Sequence, residues 1–203
     1  YANKDDSFVF WIKGRNSALV LENNVEKNFT GCMKVAEDSD GLPEVYQGGD
    51  KGFSLRYPAG YKVDDSYSYQ ALGPNKSIKG VKFTIPEMLS KNTNLSADSY
   101  ISVEKLATST ACTPNLFLSN NVKQVTVVDG DTQYSVASSS GAGAGNRYEE
   151  IVFVLPRINP CYAIRYFIHS TVVENYPAGT VSKFDRSALI NQFDLIRRTL
   201  VTN

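Results

Sequence analysis

Apolar and polar positions change rhythm several times along the chain. Ser7 to Lys13 is apolar and aromatic, Ala18 to Glu22 is aliphatic, and Gly14-Arg15-Asn16 between them supplies turn chemistry, so the pattern predicts a β-hairpin. A third strand is expected through Asn28 to Met33, after the polar Glu22-Asn23-Asn24 turn. Three strands without a helix leave unpaired edges and an uncovered face, which makes a poor domain by themselves. Glu37 to Lys51 then holds two glycine-rich turns, Gly41-Leu42-Pro43 and Gly48-Gly49, among acidic and polar residues, and reads as a linker over 37–51.

Beyond it the alternation is that of strands. Phe53, Leu55 and Tyr57 alternate up to Pro58, Tyr61 to Val63 resumes, and Gly80 to Ile85 and Tyr100 to Leu106 follow. Thr113-Pro114 predicts the start of a short helix ending near Ser119. Val125 to Val128 and Thr132 to Ala137 flank Asp129-Gly130-Asp131, a hairpin signal. Tyr148 to Leu155 and Cys161 to Ser170 form another pair across a proline-bounded turn, with Tyr162, Ile164, Tyr166 and Ile168 on one face. The last element is helical, with Asp185 as its cap and Leu189, Phe193, Ile196 and Leu200 as its apolar stripe. The fold class expected is α+β: strands over 1–36, the linker, and over 52–203 an antiparallel-sheet domain with one short and one longer helix.

Composition narrows the function classes. Twenty-one basic residues against 21 acidic ones leave no net charge, and no Lys/Arg stripe interleaves with aromatics, which argues against nucleic acid. No apolar run approaches the roughly 20 residues of a membrane-spanning helix. A single histidine, His169, removes histidine metal clusters and paired-histidine acid–base schemes, and no G-x-S-x-G elbow supports a serine nucleophile. No catalytic residue, metal ligand or cofactor is therefore assigned, and a non-enzyme is expected. Gly141 to Asn146 lacks the Lys-Ser/Thr of a phosphate loop and reads as a flexible connector. Tyr57, Tyr61, Tyr67 and Tyr69 suit either half-buried strands or a stacking surface for sugars or peptides.

The most specific pattern is Tyr1-Ala2-Asn3, then Phe10-Trp11-Ile12-Lys13-Gly14, Ala18 and finally Cys32. It resembles the C-terminal part of the MliC/PliC family, periplasmic or lipid-anchored bacterial inhibitors of c-type lysozyme, whose small β-barrel ends with S-G-x-x-Y, a strand bearing F-W-x-K-G, an alanine and a terminal cysteine. The match covers the first 32 residues, and Tyr1 takes the place of the tyrosine closing S-G-x-x-Y. The resemblance implies an incomplete barrel segment over 1–36, with a missing N-terminal part, in an exported protein of the periplasm or outer membrane, with a possible lipid anchor upstream. It implies c-type lysozyme as partner and makes Lys13 and Tyr1 the candidate contacts. An ammonium placed between the two lysozyme carboxyl groups competes with charge developing on the sugar. A turn-adjacent surface lysine is the plainer reading of Lys13, and Trp11 reads as a core residue.

Three cysteines leave one without an intrachain partner in an oxidising compartment. Cys112 and Cys161, each opening an element of the larger unit, are candidate disulfide partners; Cys32 is left over. In the family pattern its partner belongs to the missing segment, while an intermolecular link or a reactive thiol is the competing reading. The segment from Gly52 to about Thr202, with F-x-x-x-Y-P-x-G-Y at its start and Phe193 in the closing helix, resembles PsbP-like α/β/α sandwiches. That group implies a fold and no common chemistry, which leaves an envelope module recognising a peptide, glycan or protein as the alternative function.

Overall fold

The structure is a computed structural model. It describes the backbone of residues 8–12, 17–22 and 25–30, and residues 41–107, 111–119, 122–156 and 159–202 in full. The chain divides into two compact units, Tyr1–Pro43 and Glu44–Asn203. In the first, β1 (Phe8–Ile12), β2 (Ser17–Glu22) and β3 (Val25–Thr30) make an open antiparallel sheet in the order β1-β2-β3. The third strand starts three residues earlier than its apolar residues suggest, because Glu22 already pairs with Val25.

The second unit begins inside the segment read as a linker. Residues 44–48 form β4 (Glu44–Gly48), which pairs with β5 (Phe53–Tyr57), and Gly52 closes the turn by donating its N–H to Gly48 O at 2.8 Å. The glycines here end strands rather than loosen a tether. Next come β6 (Lys62–Asp64), β7 (Ser68–Tyr69), β8 (Ile78–Thr84), the single-turn α1 (Glu87–Ser90) and β9 (Tyr100–Leu106). The expected helix after Thr113 is only one 3-10 turn, Pro114–Leu116, and the Thr113 side chain caps nothing. Then follow β10 (Val125–Asp129), β11 (Thr132–Gly143), β12 (Asn146–Val154), β13 (Cys161–Thr171), α2 (Arg186–Arg198) and β14 (Val201–Thr202).

The main sheet runs β10-β11-β12-β13-β9-β8-β6, with β7 also on β8, and a small sheet runs β14-β5-β4. All named pairings are antiparallel. The unit is thus an antiparallel α+β fold.

Alternation gives the main sheet two different faces. On one, Phe83, Ile101, Val103, Ile164, Tyr166 and Phe153 are buried beneath Phe193 and Ile196 of α2 and Phe53 and Leu55 of β5. Asp185 accepts from Ala188 N at 2.9 Å, satisfying one free donor at the start of α2. On the other, Val152, Val154, Cys161 and Ala163 pack with Tyr69, Phe117 and Leu118. A disulfide joins Cys112 to Cys161 and fastens the 3-10 segment to this face.

Candidate functional site

In β11 the side chains shrink after Ala137 to Ser-Ser-Ser-Gly-Ala-Gly. Its pairing with β12 continues to Gly143↔Asn146, and the strands meet at a two-residue turn in which Ala144 and Gly145 have φ of 50° and 79°. Positive φ at both positions is what a type I′ hairpin requires. The segment read as a flexible connector is therefore strand and tight turn, since small residues keep the ladder going where no alternation announces it.

This hairpin forms the floor of a groove of about 850 Å³ on the α2 side of the sheet. Ser138, Ser140 and Ala142 of β11, Arg147 and Glu149 of β12, and Ile168 and Ser170 of β13 line it. The opposite wall is the segment leading into α2, with Lys183, Phe184 and Arg186. Asn94 holds that wall: its amide donates to Thr171 O at 2.6 Å and its oxygen accepts from Phe184 N at 2.9 Å. Arg186 forms an ion pair with Glu149 through two nitrogens, Nε lying 2.8 Å from Oε2, and the hydrogen bonds it donates to Glu149 raise the guanidinium pKa. Arg147 and Lys183 are exposed and make no ion pair with another described residue. The groove thus offers hydroxyls on a sheet floor, one neutralised ion pair and two free cations, against the single anion Glu174 at the rim.

His169 is on the other face. Its Nδ1 is 2.8 Å from Asp98 Oδ1, its Nε2 is 2.9 Å from Asn146 Oδ1, and its ring stacks on Tyr148 at 4.5 Å. Ser99 Oγ bonds to the His169 backbone, not to the ring. Both ring nitrogens are thus occupied, and among the described residues no serine hydroxyl bonds to the imidazole. Among the described residues, no group of three or more His, Cys, Asp or Glu is placed to hold a metal ion.

The same face buries a charged cluster. Arg165, fully buried, donates Nε to Glu104 Oε1 at 2.7 Å, Nη2 to Glu104 Oε2 at 2.9 Å and to Phe117 O at 2.6 Å, and Nη1 to Glu150. Burial opposes the guanidinium charge, but Glu104 and Glu150 outweigh it and raise the pKa. Tyr69 lies over the guanidinium at 3.5 Å and donates to Glu150, and the Tyr67 and Tyr100 hydroxyls are 2.9 Å apart. Burial, then the nearby Glu104 carboxylate, raise the Tyr67 phenol. The four tyrosines do not form a shared stacking surface. Tyr61 and Tyr69 are buried, Tyr67 turns inward to Tyr100, and Tyr57 packs against Phe83 at 5.1 Å, because the strands aim them into two cores.

Lys13, Tyr1 and Cys32 lie outside the described residues, as does the side chain of Trp11. None of the groove residues was singled out for binding by sequence reasoning. The signal available was a long strand whose second half carries neither charge nor proline.

No family model matches this chain, and no curated protein matches it. Solved structures that align with it include two at low similarity. A protein from Bacteroides thetaiotaomicron VPI-5482 aligns at a TM-score of 0.45 and 11% identity over 79% of this chain, which spans 48% of that protein. Cyanobacterial PsbP (CyanoP) from Synechocystis sp. PCC 6803 aligns at a TM-score of 0.42 and 13% identity, over 85% of this chain and 97% of its own. Among the described residues no helix is long and apolar enough to cross a membrane.

Proposed function

We propose that the larger unit is the binding module of an exported envelope protein and takes its ligand in the groove beside β11. The carrying observation is the groove itself, about 850 Å³ on a sheet floor, with hydroxyls, a neutralised ion pair and two free cations converging on it. Few polar groups fixed on rigid strands are what an orienting site needs. Its mixture of serines and cations suits a polar chain, peptide or glycan, better than a greasy ligand. A PsbP-like ancestry for this unit, read from its opening F-x-x-x-Y-P-x-G-Y segment, belongs to the same proposal.

The test is ligand selection with the full chain, from displayed peptides and a glycan array, against Ser140→Trp, whose indole fills the floor. Selected ligands should lose at least about tenfold in affinity, roughly 1.4 kcal/mol, while the circular dichroism spectrum stays unchanged. Ligands that bind the variant equally well would place the site elsewhere.

A second reading rests on Phe10 to Gly14 with Cys32, the segment that resembles the MliC/PliC inhibitors. On that reading the first unit inserts Lys13 into the c-type lysozyme cleft. The protein should then inhibit c-type lysozyme and Lys13→Ala should relieve inhibition; full lysozyme activity at micromolar protein sinks it.

A further inference from the structure

The groove borders a strand edge that nothing described in the chain pairs with. β10 covers β11 only from Thr132 to Val136, ending at the Val125↔Val136 pair, and before it the chain turns off, Val122 N donating to Asn115 Oδ1 at 3.2 Å. From Ala137 to Gly143, β11 is paired on the β12 side alone.

Hairpin geometry says which backbone groups are left over. In a two-residue hairpin the residues flanking the turn form a hydrogen-bonded pair, and such pairs recur at every second residue. Gly143↔Asn146 and Asp129↔Thr132 both flank two-residue turns. Gly143, Gly141, Ser139 and Ala137 therefore direct their N–H and C=O groups to β12, and Thr132, Tyr134 and Val136 direct theirs to β10. Both hairpins agree that Ser138, Ser140 and Ala142 direct theirs to the open side. These three are also exposed, and their side chains face the groove.

We propose that this edge receives an extended peptide by strand addition, with an acidic side chain of the guest in the groove; the proposal rests on the groove being a ligand site. Open edges are normally blunted by lysine, proline or a bulge, and Ser138 to Gly143 has none of these. On the far face, a Cβ built on Gly141 or Gly143 meets nothing within 4 Å, so guest side chains find room there too. Backbone bonds supply affinity and alternate side-chain sites supply selectivity in this mode. The free cations Arg147 and Lys183 select the acidic guest, since Glu149 is already neutralised by Arg186.

The probe is a set of blocked peptides as long as the open edge, valine and threonine alternating, with one Glu at successive positions, titrated into the full chain by fluorescence anisotropy. At least one should bind below about 1 mM, the weak end of specific affinity. Its partner with alternate backbone amides N-methylated should lose about tenfold or more, as should the Glu→Lys peptide. Arg147→Glu with Lys183→Glu should reverse the charge preference, and these exposed side chains can change without unfolding the sheet. Three results overturn the proposal: no peptide of the set binds; the N-methylated peptide binds equally; or sedimentation shows the free chain dimeric through this edge, with Ser140→Pro making it monomeric. Groove ligands that are still selected and still lost in Ser140→Trp would then show that the groove reading survives without the edge.

Discussion

Arg165 is a cation with no exposed surface, held by Glu104 and Glu150. Removing one partner of such a pair leaves a buried charge uncompensated and costs about 3–5 kcal/mol, whereas replacing the whole cluster by apolar groups costs far less. Arg165→Met should therefore lower the urea midpoint by that equivalent, and adding Glu104→Met should restore part of it; equal midpoints for wild type and Arg165→Met would show the cluster to be inert. Asp129 offers a pH handle. Hydrogen bonds from Arg198 and Arg197 hold its carboxyl below its ordinary value of 3.8. The folded state is thus the more reluctant to take up the proton. The contribution is complete above the unfolded value and disappears as pH falls through the lowered one. Asp129→Asn should remove it, so the melting-temperature difference between wild type and variant should shrink steadily below about pH 4. The sequence made Tyr162, Ile164, Tyr166 and Ile168 legible as a core face, since apolar alternation is a period-two pattern within a single strand. Arg165 between them was not, because its partners Glu104 and Glu150 come from other strands.

At the scale of elements, β9, β10, β12, β13 and the first half of β11 could be read from alternation and α2 from the 189-193-196 spacing, and the structure has them close to the expected limits, except that β11 runs on to Gly143. What could not be read were elements without a periodic signal: β4 in glycine-rich surroundings, the single turn of α1, two-residue β7 and β14, and the small-residue half of β11. The groove was invisible for the same reason, since it exists only where that half-strand meets the wall built by Asn94. Two element-level outcomes follow. Cys112 and Cys161 close a loop across a sequence separation of 49; chain entropy makes that worth about 4 kcal/mol, so the Cys112→Ser, Cys161→Ser pair should show it in denaturant titration under oxidising conditions. Asp185→Ala, which removes the cap on α2, should cost about 1 kcal/mol by thermal melting.

At the scale of the whole molecule, sequence reading and structure agree on an antiparallel α+β arrangement in the larger unit, whose last strand lies beside its second. β14 lies against β5, with Val201 opposite Ser54 and Thr202 opposite Phe53, and Thr199 Oγ1 accepts from Arg56 N at 2.8 Å. The last strand is thus stitched to the first hairpin of this unit, with β5 between β14 and β4, so covalent order matters less to the small sheet than adjacency. A circular permutant that links the end of β14 to the start of β4 and opens the chain at the exposed Gly130-Asp131 turn should keep the same sheet. Its new termini would sit at the far end of the β10–β11 hairpin from Ala142, leaving the groove as a cassette whose neighbours along the chain can be reordered without moving its walls.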